Sequence, residues 1–461
     1  MPKRFTIVNA IPYVNANAHI GFALELILSD TLARYHRLQG EEVRYTTGTD
    51  ENSLKNVQAA EKAGKPVADF VAEHAEVFRK LNTTLNISAD EFIRTTEERH
   101  IIGVHKIWKA CDATGDIYKK KYQGLYCVGC EVFYTQKDLV DGLCPEHKTK
   151  PELIEEENYF FRLSNYQDWL LQIIESDELK ITPSSRKSEL TEFIKSGLED
   201  FSISRSNDRA KNWGITVPGD DEQKIYVWFD ALTNYVNAVG VVWWNDSYRA
   251  HMIGKGISRF HAIYWPAILK SAGLATPNEI FIHGYVTVDG EKISKSLGNV
   301  VDPFEVVEKY GVDAVRYFLL REIPSTGDGD FSIAKLEARY NGDLANNLGN
   351  LVSRVGKLSE KLISKEIDPA ITKQLETTTT KYHEAIKTFK LHEALAHLWE
   401  LYTFANVYMN EKAPWKTGDA QAVASISHLL QESTALLEPF LPETAQKIRS
   451  NTPGPLFPKL L

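Results

Sequence analysis

A doubly wound, parallel (Rossmann-like) α/β domain followed by an all-α helical bundle is the fold class that this 461-residue sequence predicts. Three observations carry it. A strand–loop–helix–strand pattern opens the chain. Strand-like runs return at 225–229 (IYVWF) and 280–288 (IFIHGYVTV). From about residue 333 onward, helix follows helix. The length exceeds what one core usually serves, so roughly two to four domains are expected.

The elements follow in order. Residues 5–9 (FTIVN) read as a buried strand and PYVNANAH as a turn-rich loop. Leu24, Ile27, Leu28, Leu32, Tyr35 and Leu38 recur at helical spacing between about Gly21 and Gln39. Gly40 suits the helix C-terminus. Residues 42–47 (EVRYTT) read as a second strand that ends at Gly48-Thr49-Asp50. This β-loop-α-β opening implies a parallel sheet. The stretch 57–110 reads as helical, and a Gly- and Cys-bearing segment at 115–150 interrupts it. Ala385–Asn410 reads as one of the late helices. Thr377–Thr380 reads as a threonine run between helices, and Asn451–Leu461 as an irregular strap. The expected parts are 1–114 and 226–288 for the two halves of the α/β domain, and 115–155 for a metal knuckle. Residues 156–225 return the chain to the core, 289–345 carry a lysine loop, and 346–461 form the helical domain.

The bulk numbers exclude several classes. No apolar run approaches the ~18–20 residues of a membrane span. The N-terminus enters a strand directly, without signal-peptide architecture. A cytoplasmic enzyme fits. The net charge of −9 argues against a surface coated in basic residues. The charge is uneven: residues 346–461 carry 13 Lys+Arg against 12 Asp+Glu, which leaves −10 on the first 345. A nucleic-acid partner must therefore use local patches and shape.

Two segments suit phosphate chemistry. His19 stands where the first loop becomes the first helix, and backbone N–H groups at a helix start attract phosphate. Gly21 lets a ligand approach the backbone closely. The competing reading of His19 is a simple helix cap. Gly290-Glu-Lys-Ile-Ser-Lys-Ser-Leu-Gly298 places Lys292 and Lys295 between glycines, as a loop that closes over a triphosphate would. The competing reading is a solvated lysine loop. Gly254-Lys-Gly256 is no P-loop, since the flanking glycine spacing is absent.

Four cysteines are too few for a disulfide framework. Cys127-Val-Gly-Cys130 and Cys144-Pro-Glu-His147 form a Cx2C…CxxH set whose donors suit one tetrahedral, structural Zn²⁺. Cys111 is left over as an ordinary core or helix cysteine.

Together, His-Ile-Gly-Phe (19–22) and Lys-Ile-Ser-Lys-Ser (292–296) resemble the HIGH and KMSKS signatures of class I aminoacyl-tRNA synthetases. The surrounding sequence resembles the methionyl type. Ala10-Ile-Pro-Tyr-Val-Asn-Ala-Asn-Ala-His-Ile-Gly, Thr47-Gly-Thr-Asp-Glu and Phe92-Ile-Arg-Thr-Thr-Glu-Glu-Arg-His carry this likeness. So do Asp200-Phe-Ser-Ile-Ser-Arg, Tyr226-Val-Trp-Phe-Asp-Ala and Asn299-Val-Val-Asp-Pro. The resemblance spans essentially the whole chain, and the Cys/His set matches the single-knuckle form of the family's insertion.

The resemblance implies ATP (with Mg²⁺), methionine and its tRNA as partners. It implies catalytic roles for His19, Lys292 and Lys295. ATP contacts are expected from His19, Gly21, Phe22, Gly254, Lys292, Lys295 and Ser296. A thioether selects an apolar, aromatic pocket; Ile11, Tyr13, Trp228, Ala231, Tyr235, Ile257 and His261 are its candidates. Asp50 would hold the ammonium and Arg205 the carboxylate of the amino acid. Asn350, Arg354 and Trp415 match anticodon positions, and Trp415 offers a stacking platform. The chain stops soon after this bundle, so a monomer is expected.

Three departures stand against the pattern. Phe22 replaces the second histidine of HIGH, Asn52-Ser53 stands where relatives usually carry His-Gly, and Gly256 stands where an Asp commonly follows Gly-Lys. Losing one transition-state donor commonly costs ~10²–10³ in rate. They motivate a second reading, a non-catalytic or altered-acceptor tRNA-binding paralogue. A synthetase for another apolar amino acid is a third, but the valine, isoleucine and leucine types usually carry a large editing insertion for which this chain has no room.

Overall fold

The computed structural model describes residues 3–127, 132–134, 136–146, 148–293, 298–452 and 454–460. The chain forms two compact units, each discontinuous in sequence. The first comprises Met1–Asn17, Arg44–Lys80 and Ala89–Ile282; the second comprises Ala18–Val43, Leu81–Ser88 and His283–Leu461.

The first unit is built on a six-stranded sheet. Its order is Glu91–Arg94, Glu42–Thr49, Arg4–Asn9, Tyr248–Gly254, Glu279–His283, Lys180–Thr182. Arg4–Asn9 pairs in parallel with Tyr248–Gly254, with Phe5 opposite Tyr248 and Asn9 opposite Met252. Glu42–Thr49 pairs in parallel with Glu91–Arg94, and Glu279–His283 with Lys180–Thr182. Sequence order reverses between the first strand and Tyr248–Gly254. In such sheets the crevice beyond the strand C-termini at this switch point receives ligands. Ile11 and Tyr13 follow the first strand there, and Ile257 follows Gly254. A second, antiparallel sheet holds Ile117–Cys127 against Glu152–Phe161, flanked by Val132–Tyr134 and Phe201–Ser202.

The second unit takes in the first helix, Ile20–Leu38. Its Asp30 forms a 2.8 Å ion pair with Arg316, and both side chains are fully buried. Arg316 also donates to the carbonyls of Phe440, Pro439 and Leu85. A buried charge needs such complete pairing. The helices Pro369–Lys387, Leu391–Lys412 and Ala420–Leu437 form the body of the bundle.

The α/β-plus-helical fold class is as expected, but several local readings need correction. Residues 225–229 are not a strand: Asp220–Ile225 is the strand, and Val227–Leu232 is a helical turn. A short apolar run carries no periodicity that separates the two states. The helical reading of 57–110 missed the four-residue strand Glu91–Arg94, which exists because Glu42–Thr49 offers it an edge. The run 280–288 splits at Gly284, where a Cβ would lie 2.2 Å from the Gly327 carbonyl oxygen. Ala385–Asn410 breaks at Phe389, whose φ is +55°. Thr377–Thr380 lies inside Pro369–Lys387, and Thr377, Thr379 and Thr380 donate their hydroxyls to carbonyls four residues back.

Candidate active site and tRNA-contact patch

In the first unit, Asp50 closes the second strand and is 2% exposed. Its backbone N–H donates to the Pro12 carbonyl at 2.8 Å, and it forms a parallel bridge with Tyr13. The first loop and the acid are thereby locked together. Asn56 donates to the Asp50 carbonyl, and the Asn52 N–H donates to Asp50 Oδ1. The adjacent Glu51 has a different task. Fully buried, it accepts from Arg94 through both carboxylate oxygens at 2.7 and 2.9 Å, and from Thr49 and Thr96. Of the acidic pair, then, Glu51 is spent on the fold.

The aromatic candidates converge. Trp228 stacks on Phe260 with ring centroids 3.8 Å apart and meets His261 edge-on. Tyr235 Oη lies 2.6 Å from His261 Nε2, and His261 Nδ1 lies 2.9 Å from the Ile257 carbonyl oxygen. A carbonyl only accepts, so Nδ1 carries the proton, Nε2 accepts, and Tyr235 donates. Burial lowers the His261 pKa to about 4, so the ring is neutral at physiological pH. Ala231 is buried one helical turn before Tyr235, while Ile11 and Ile257 are half-buried. Arg205 is buried with its guanidinium over Tyr126 and Tyr226, 4.5 and 4.8 Å from their centroids. A small cavity is lined by both Asn52 and Arg205. Gly254 ends its strand, and the exposed Gly256 sits in the tight turn that follows.

In the second unit, His19 caps the first helix: its Nδ1 accepts from the Gly21 N–H at 3.1 Å. The cap engages Nδ1 only. It also keeps a neutral ring's proton on Nε2, facing away from the cap. The residue is exposed as a whole, yet protein crowding the imidazole desolvates it and lowers its pKa. A Cβ on Gly21 would come within 3.0 Å of this imidazole. Phe22 occupies the helix's first turn, its N–H donating to the His19 carbonyl. The Ile20 N–H donates to the Val301 carbonyl, so the segment after the lysine loop borders this helix start. Glu291–Lys292 pairs with Val286–Val288 across a turn at Asp289-Gly290, and Gly290 donates to Asp330. Lys295 and Ser296 lie outside the described residues, as does the Lys292 side chain.

Of the expected zinc ligands, Cys130 and His147 lie outside the described residues. Cys127 and Cys144 are buried and share Thr149 as neighbour: Cys127 Sγ lies 3.9 Å from its hydroxyl, and Cys144 N–H donates to its carbonyl. Among the described residues, no group of three or more His, Cys, Asp or Glu could hold a metal ion. Cys111 is a core residue whose thiol is pushed up to about 12 by burial.

At the helical end, the Arg354 guanidinium lies 4.7 Å from the Trp415 ring centroid and donates to Asn410. Asn350 is exposed one turn before Arg354.

A family model described as "tRNA synthetases class I (M)" matches residues 5–150 and 146–356, and one for the anticodon-binding domain of tRNA ligases matches 368–454. The chain belongs to the methionine type of class I aminoacyl-tRNA synthetases. It is 42% identical to the methionine–tRNA ligase of Brucella suis over 97% of this chain and 91% of that protein. To the Thermotoga maritima methionine–tRNA ligase it is 40% identical, over 96% of this chain and 74% of that one. The solved Mycobacterium tuberculosis methionyl-tRNA synthetase in complex with methionyl-adenylate superposes with a TM-score of 0.92 at 37% identity, covering 99% and 100% of the two chains. Methionine–tRNA ligation is thus the activity of this family member. No helix among the described residues is long and apolar enough to cross a membrane.

Three groups went unremarked in the sequence: Phe260, Asp230 and His100. The last two sit inside motifs that carry the family resemblance, yet nothing local marks them. Only the fold brings them together.

Proposed function

We propose that this synthetase activates methionine with ATP and transfers it to the terminal adenosine of its tRNA, through the following residues. The observation that carries the reading is the Tyr235–His261–Ile257 relay beside stacked Trp228 and Phe260. It offers a neutral, polarisable aromatic wall to a thioether and no charge to a competing polar side chain. Ile11, Tyr13 and Ala231 complete this wall. Asp50 receives the ammonium and Arg205 the carboxylate of the amino acid.

In the first step, that carboxylate attacks the α-phosphate of ATP, and pyrophosphate leaves. His19 donates from Nε2 to phosphate oxygens as charge develops, and Lys292 and Lys295 neutralise the leaving group. Gly21, Phe22, Gly254 and Ser296 border the nucleotide; Phe22 contributes packing where relatives have a second donor. Mg²⁺ accompanying ATP neutralises phosphate charge. In the second step, a ribose hydroxyl of the terminal adenosine attacks the activated carbonyl and AMP leaves. Positioning and electrostatics do the work, with no covalent enzyme intermediate. Asn350, Arg354 and Trp415 read an unstacked anticodon base. Cys127, Cys130, Cys144 and His147 would hold a structural Zn²⁺; the shared Thr149 contact of two of them supports this. A cytoplasmic location belongs to the same reading, supported by sparse cysteine usage.

ATP–pyrophosphate exchange measured with each of the twenty amino acids tests this. Exchange with methionine alone is expected. Preferential exchange with leucine, or none with any amino acid, would overturn it.

A further inference from the structure

Asn52, half-buried, sits at the centre of a largely buried polar chain. Its side-chain amide donates to Asp230 Oδ2 at 2.7 Å and to the Thr95 carbonyl at 3.2 Å. Both amide hydrogens are thus in use. Its backbone N–H donates to Asp50 Oδ1 at 3.2 Å. Asp230 is fully buried, and its Oδ1 accepts from His100 Nε2 at 2.6 Å; His100 is also fully buried. Behind it, Asn237 Nδ2 reaches His100 Nδ1 and the His100 carbonyl, both at 3.3 Å. A carboxylate only accepts, so His100 donates to Asp230 from Nε2. Gly103 makes room for Asn237, since a Cβ there would lie 2.0 Å from its amide oxygen.

The chain therefore runs Asn237, His100, Asp230, Asn52, Asp50. All but the last link, which joins residues two apart, cross between segments distant in sequence. Asp230 lies between Trp228 and Ala231 on the helical turn Val227–Leu232, so the carboxylate that meets Asn52 is carried by the segment that supplies the aromatic wall. We infer that Asn52 is a positioning residue for methionine: pinned by Asp230 and Thr95, it aims the Asp50 carboxylate and ties it to the Trp228–Tyr235 segment. The inference rests on the assignment of Asp50 to the substrate ammonium. Asn52 touches no reacting atom in this scheme; it acts through Asp50.

A hydrogen-bond donor is required because both groups that the side chain faces, the Asp230 carboxylate and the Thr95 carbonyl, only accept. A carboxylate at position 52 would oppose Asp230 at hydrogen-bond distance, so it must hold a proton to take the amide's place. The titratable groups around this position are Asp50 and Asp230, with His100 behind, and Arg205 and Lys224 across the small cavity.

The test measures methionine KM and kcat in pyrophosphate exchange, with thermal unfolding, for the full chain and four variants. Asn52→Ala is expected to raise methionine KM about tenfold while leaving KM for ATP within about twofold. Asn52→His, which restores a donor, should recover most of the loss. Asn52→Asp should bind methionine better as pH falls from 8 to 6, opposite to or steeper than wild type, because protonation of the introduced carboxyl rebuilds the bridge. Asp50→Asn separates the two assumptions. If it keeps wild-type methionine KM, the ammonium assignment fails and the inference falls with it. If it loses methionine affinity while Asn52→Ala does not, only the positioning role is overturned. Should Asn52→Ala fail to fold, the Asn52→Asp pH series decides: a profile parallel to wild type overturns the inference.

Discussion

Asp50 is 2% exposed, Tyr235 2% and His261 1%, and each is held by partners that fix its direction. Trp415, in the other unit, is 45% exposed, and its neighbour Arg354 is held by one amide and one ring face. On the proposed reading the first group encloses a small amino acid, and a misplaced polar atom there costs the most. The second is suited to a base that arrives with its own charged backbone and needs a flat face to stack on. The same residue types do different work in the two places. Aromatic rings in the pocket are packed against one another and define a shape, whereas the exposed tryptophan leaves a face open.

The contrast can be broken at several points. The largest effect is expected from Lys295→Ala, which should slow methionine activation by ~10²–10³ and leave methionine binding near wild type. Pre-steady-state adenylate formation checks this, and equal losses in rate and affinity would assign the lysine to ground-state binding instead.

A smaller effect concerns protons. His261 and His251 are buried neutral: the pKa of the first is lowered to about 4 by desolvation, and that of the second well below its usual value by the same cause. A depressed pKa means that the unfolded chain binds the proton first. The stability these rings contribute is therefore present above pH ~6.5 and is lost as pH falls toward 4. His261 alone accounts for on the order of 3 kcal/mol across that window. Unfolding midpoints from pH 7.5 to 4.5 should fall in wild type and fall less in His261→Gln. Identical slopes would exclude the ring as the source.

Trp415→Ala should weaken tRNA charging by ~1–3 kcal/mol in kcat/KM for tRNA, without changing pyrophosphate exchange. A parallel fall in exchange would show that the two regions are not separable. The smallest effect is expected from Tyr235→Phe, which removes one hydrogen bond to His261 and should raise methionine KM by ~1 kcal/mol in equivalent terms. No change would mean that the ring, and not its hydroxyl, shapes the wall.

Much of this was legible before any coordinates. The spacing of apolar residues suffices to read the first helix, and the predicted span 21–39 agrees with Ile20–Leu38. His19, Gly21 and the loop between Gly290 and Gly298 stand out in the sequence because the phosphate chemistry proposed for them uses short, local motifs. The Val227–Leu232 turn was misread because a buried apolar run looks alike as helix or strand. Glu91–Arg94 was missed because a four-residue strand is made by its neighbour. Asp230 and His100 escape a local reading because Asp230 meets Asn52 across 178 positions and His100 meets Asp230 across 130, and no local pattern encodes such a meeting.

By itself, then, the sequence determined the family, the α/β-plus-helical class and the residue types that chemistry on methionine and ATP requires. Local spacing and side-chain chemistry suffice for those. The tertiary structure alone decided that Glu51 of the Asp50–Glu51 pair is taken up by Arg94, which tautomer His261 adopts, and which two acceptors the Asn52 amide meets. Each of these depends on which donor or acceptor lies within hydrogen-bond reach, and that is a property of packed distances, not of order along the chain.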